Sequence, residues 1–74
     1  MVHLNKLTHR EQEIIQILIR GKLDKEIADE LDISLDTVKK HNKSIYKKLN
    51  VRNRSEVIAL INTLDVNDFF FARA

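Results

Sequence analysis

The chain has 74 residues, 43% of them hydrophobic, with 13 Lys and Arg against 11 Asp and Glu. That length holds one small domain, 1–74, with a core expected over about 7–64 and a tail over 65–74. The absence of cysteine excludes a disulfide framework and a thiolate metal site. No apolar run approaches the roughly 18 residues of a membrane span, so a chain working in the cytoplasm is expected.

Residues 1–7 form a short lead-in. Thr8 with Glu11 three residues on is a capping-box pattern, which starts a helix. Glu11, Ile14, Ile15, Leu18 and Ile19 mark its inner side, and it ends near Gly21, the single glycine, where a left-handed cap is wanted. A second helix covers about Asp24 to Leu31, with Ile27, Ala28 and Leu31 inward. Asp32-Ile33-Ser34 then makes a tight turn plugged by Ile33.

The third helix opens on Ser34, an N-capping residue, with Asp36 in its first turn, where a negative charge suits the helix dipole. Val38, His41, Ile45 and Leu49 recur at helical spacing as an apolar stripe. At about 100° per residue, Asp36, Lys40, Lys43 and Lys47 fall opposite that stripe, with Lys39 on its flank. Asn50–Asn53 connect to a fourth helix, roughly Arg54 to Leu64. There Ile58 and Ile61 are assigned to the core, leaving Val57, Leu60 and Leu64 as an exposed contact stripe. The tail carries Phe69, Phe70 and Phe71, which either fold back over that stripe or meet a partner. No segment alternates like a strand, so the fold class is all-α: a tri-helical core plus a fourth helix.

Charge is unevenly placed. Between Thr37 and Arg54 lie seven basic residues (Lys39, Lys40, Lys43, Lys47, Lys48, Arg52, Arg54) and no acidic one, +7, while the rest of the chain is net −5. A short helix, a tight turn and a longer basic helix make a helix-turn-helix pattern. In that geometry the second helix, about 35–49, enters the major groove of double-stranded DNA and the first crosses the backbone.

The segments LTHREQEIIQIL, KEIADELDIS and TVKKHNKSIYKKLNVRNRSEVI together resemble the LuxR/GerE-type helix-turn-helix domain of bacterial transcription regulators. The resemblance covers about Leu7 to Ile61, and the ordered blocks KEIA, TVKxH and KLxVxxR carry it. It implies a homodimer on DNA, with Val57, Leu60 and Leu64 of the fourth helix at the two-fold contact. It also implies base reading by Lys39, Lys40 and Lys43 and phosphate contacts by Lys25, Thr37 and His41, to which the basic face adds Lys47 and Arg54. Three positions depart from the family pattern: Leu23, Asp24 and, on the groove side, Asp36, which either accepts from a cytosine amino group or repels phosphate. Leu23 cannot cap the second helix with a hydroxyl, so Asp24 is expected to cap one residue later, and Asp24 puts an anion near phosphate. RNA polymerase is a further partner for such a domain.

No nucleophile–base set, glycine-rich phosphate loop or metal spacing is present, so no enzymatic activity, cofactor, metal or small-molecule ligand is expected. His3, His9 and His41 share no ligand spacing. A second reading keeps the fold but makes it a protein-interaction module, its lysines meeting an acidic surface on polymerase or another regulator.

Overall fold

A computed structural model describes residues 6–63 of the chain. Among them are four helices and no strand: α1 (His9–Leu18), α2 (Asp24–Leu31), α3 (Leu35–Leu49) and α4 (Arg54–Asn62). α1, α3 and α4 begin where the sequence supplies a capping side chain. Thr8 Oγ1 accepts from the Glu11 amide at 3.1 Å while Glu11 Oε1 accepts from the Thr8 amide at 2.9 Å, a complete capping box. Ser34 Oγ accepts from the Thr37 amide at 3.0 Å, and Asn53 Oδ1 from the Glu56 amide at 3.0 Å.

The α2 start differs from expectation. Leu23 is the N-cap residue and offers no side-chain acceptor. The Glu26 carboxylate instead folds back to take the Leu23 amide at 2.8 Å, the one half of a capping box a leucine permits. Asp24 does not cap, because its carboxylate is turned to α3 and α4.

Helix ends are set by residues that tolerate a left-handed backbone. Asp32 (φ 56°) ends α2 and Asn50 (φ 57°) ends α3. The Ile33 amide reaches Ala28 O at 3.0 Å and the Val51 amide reaches Tyr46 O at 2.9 Å, closing the same six-residue loop at both ends. α1 instead tightens through Arg20 and Gly21 amides bonded three residues back, and Gly21 at φ +85° reverses the chain.

Leu7, Ile14, Ile15, Ile17, Leu18, Ile27, Ala28, Val38, Ile45, Leu49, Val57 and Ile61 form the core. Two expectations are corrected here. On α3 the buried stripe is Val38, Asn42, Ile45 and Leu49, with His41 only half-buried. On α4 Val57 is fully buried and Ile58 partly exposed, so Val57 cannot belong to an exposed stripe. Val57 and Ile61, about 40° apart on the helix, turn inward together where α4 packs against α1 and α3. Leu60 is half-buried at the core edge. Leu64, His3 and Phe69–Phe71 lie outside the described residues.

Candidate nucleic-acid interface

The direction opposite the buried stripe of α3 falls, at about 100° per residue, on Lys40 and Lys47. Asp36 and Lys43 lie beside them and Lys39 toward the flank. All five are exposed, as is Lys25 in the first turn of α2. Thr37 is half-buried and committed to the α3 cap, its hydroxyl 2.8 Å from Ser34 Oγ. His41 sits at the edge between core and outer face.

The basic segment is not uniformly available. Lys48 Nζ is held 2.7 Å from Glu11 Oε1, whose residue is only 3% exposed. Burial alone would push the Glu11 carboxyl up; the Lys48 ammonium, the Thr8 amide and the Ser44 hydroxyl outweigh it and leave its pKa below the usual 4.5. Arg54 is engaged on the opposite side. Its guanidinium donates to the Lys22 carbonyl and lies 3.9 Å from Asp24 Oδ1. Two of the seven cations therefore tie helices together, Lys48 fastening α3 to α1 and Arg54 fastening α4 to the start of α2. Lys39, Lys40, Lys43, Lys47 and Arg52 are left exposed, with no carboxylate partner among the described residues.

Asn42 is the functional residue that sequence reasoning missed. It is 4% exposed, and its Nδ2 donates to Asp24 Oδ1 at 2.9 Å. Asp24, Asn42 and Arg54 thus form one polar cluster joining α2, α3 and α4. The half-buried Tyr46 completes its surroundings: burial raises its phenol pKa, the Asp24 charge raises it further, and Arg54 partly opposes both. The signal available in sequence was the Val38–Asn42–Ile45–Leu49 spacing of four, three and four, as regular as the same stripe drawn through His41. This hydrogen bond ties the start of α2 to the middle of α3, while Asn42 Oδ1 is buried with no partner among the described residues.

Among the described residues no group of His, Asp and Glu could hold a metal ion, and no helix is long and apolar enough to cross a membrane.

The sequence profile described as bacterial regulatory proteins of the luxR family matches residues 5–61. The uncharacterized response regulatory protein YgeK of Escherichia coli K12 is 48% identical over 54 residues, covering 73% of this chain and 37% of that protein. The transcriptional regulatory protein DesR of Bacillus subtilis is 46% identical over 54 residues, covering 73% of this chain and 27% of that protein. The HTH-type transcriptional regulator MalT of Vibrio campbellii is 36% identical over 64 residues, 86% of this chain and only 7% of that protein. A solved structure of the response regulator StyR superposes with a TM-score of 0.76 at 43% identity, covering 81% of this chain and 30% of that one. The chain thus spans well under half the length of each of these relatives. The chain belongs to the luxR family of bacterial regulatory proteins, and its four helices are that family's helix-turn-helix domain.

Proposed function

We propose that the chain is the sequence-specific, double-stranded-DNA-binding part of a bacterial transcription regulator, acting in the cytoplasm, with α3 in the major groove. One observation carries this reading: four exposed lysines on the face of α3 turned away from the core, none with a carboxylate partner among the described residues. In this reading Lys40, Lys43 and Lys39 meet base edges, and Lys47, Lys25, Thr37 and His41 meet phosphates. Arg54 is better used inside the domain, fixing α4 to α2, than on phosphate. Selection of bound sequences from a random DNA pool tests the reading: recovery of a shared sequence supports it, and a pool that stays random refutes it.

For binding as a homodimer the contact is the exposed face of α4 and not Val57, which is buried, and half-buried Leu60 borders that face about 100° from Ala59. The exposed face of α4 carries Ser55, Ala59 and Asn62, small enough for two helices to approach closely about a two-fold axis. Such a dimer sets two α3 helices about 34 Å apart on successive grooves. Ala59→Glu is the cleaner test because Ala59 is exposed and its replacement spares the core. It should leave the melting temperature unchanged while lowering affinity for a two-half-site duplex toward that for one half-site. Equal binding of the variant and the parent to the paired site would place the contact elsewhere.

A further inference from the structure

A pocket opens on the flank of α3 that faces α1, lined by Lys6, Ser44, Lys47 and Lys48. Its shape follows from the Glu11 bridge. Lys48 is drawn 2.7 Å to Glu11 Oε1 and so stands at the wall with its charge matched. Ser44, one turn earlier and half-buried, turns its hydroxyl to the same carboxylate. Lys6 and Lys47 are exposed and have no carboxylate within reach among the described residues. The backbone at Lys6 is held in place by its neighbour: Leu7 is buried, and Gln12 Nε2 donates to the Leu7 carbonyl at 3.4 Å. The pocket therefore gathers three ammonium groups against one carboxylate, with a hydroxyl at its side. A concavity with two uncompensated ammonium charges fits a phosphate group, for which lysines act as point charges.

The position of the pocket favours a DNA phosphate over a free one. Lys47 belongs to both the outer face and the pocket. Ser44 lies about 60° around the helix from it and Lys48 about 40° beyond, so the pocket continues the groove face toward α1. A helix in a groove about 12 Å wide has a sugar–phosphate backbone along each flank. We infer that Lys6 and Lys47 seat one backbone phosphate on the α1 side of α3, with Ser44 forming part of its wall, so that the segment preceding α1 takes part in holding DNA. Lys48, matched to Glu11, shapes the seat without adding charge to it. This rests on the DNA reading above.

The test compares the 74-residue chain with its Lys6→Ala variant on the selected duplex between 50 and 200 mM salt. Lys6 lies outside the helices and is exposed, so the variant keeps the fold. The slope of log affinity against log salt should flatten by about 0.9, which shrinks the parent's advantage about 3.5-fold across that range. Replacing backbone phosphates one at a time with neutral methylphosphonates should reveal a single position at which parent and variant become equal. Titration of inorganic phosphate without DNA separates the two sources. Saturable shifts at Lys6, Ser44 and Lys47, with the DNA slope unaffected by Lys6→Ala, would assign the seat to a free phosphate and overturn the DNA assignment. No shift and no slope change would overturn the seat altogether. A parent chain that selects no duplex defeats the DNA reading itself, whereas selective binding with an unchanged Lys6→Ala slope defeats only the seat.

Discussion

Glu11→Ala should leave the domain no more than about 2 kcal/mol of stability at room temperature. The carboxylate is buried, completes the α1 capping box through the Thr8 amide and holds Lys48 of α3 at 2.7 Å. Breaking one side of a buried ion pair removes about 3–5 kcal/mol. Lys48 keeps about a quarter of its side chain exposed, at 26%, so the lower end of that range applies. A core of this size supplies only about 3–5 kcal/mol in all. Lys48→Met should be nearly as damaging, because it leaves the Glu11 carboxylate buried without its cation. The same group makes stability depend on pH. Its folded pKa lies below the 4.5 of an unfolded glutamate, so between those values the unfolded chain binds more protons. The contribution is therefore complete above about pH 4.5 and is lost as pH falls through the lower, folded value. Urea unfolding of the parent and Glu11→Gln at pH 7 and pH 3 should show a gap that narrows in acid. An equal gap at both values would remove the ionised carboxylate from the stability of the fold.

Asp24→Ala should lower stability by about 1–3 kcal/mol, the loss expected when a buried donor, here Asn42 Nδ2, is left unpaired. Asp24→Asn should lose much less. The amide oxygen can still accept from Asn42, and only the Arg54 pair is given up. At 3.9 Å and with both side chains about a third exposed, that pair contributes under about 1 kcal/mol. A double-mutant cycle of Asp24→Ala with Asn42→Ala should show most of the loss to be shared. Equal losses for alanine and asparagine at position 24 would mean that Asp24 acts by its charge and not by its contact with α3. The structure also changes how Asp24 bears on DNA. If the start of α2 approaches the DNA backbone as proposed, removing this anion also removes its hydrogen bond to α3, so a gain in affinity from the first is opposed by the second.

The starts of α1, α3 and α4 were legible because each depends on neighbours three residues apart. Thr8 with Glu11, Ser34 with the Thr37 amide and Asn53 with the Glu56 amide are local contacts that spacing alone reveals. Which of two adjacent residues faces the core was less legible. His41 and Asn42 differ by only about 100° on α3, and the choice is made by Asp24, 18 residues earlier in the chain. Val57 was misplaced for a related reason. α4 carries apolar residues around more than half its circumference, and only its packing against α1 and α3 selects Val57 with Ile61. The charge count was right in sign but overstated the free surface. Lys48 and Arg54 find partners 37 and 30 or more residues away, at Glu11 and at Lys22 and Asp24, and no local pattern announces such pairings.

The most direct measurement of the central reading is the affinity of the parent and of Lys43→Ala for a selected duplex and for random DNA of equal length. Lys43 is exposed on the outer face of α3 and makes no ion pair among the described residues, so its removal leaves the fold intact. A base-reading lysine should cost about 1–3 kcal/mol on the selected site and clearly less on random DNA, narrowing the ratio between them. Equal losses on the two duplexes would contradict the assignment, because they would reduce the outer face of α3 to a surface that holds DNA without reading it.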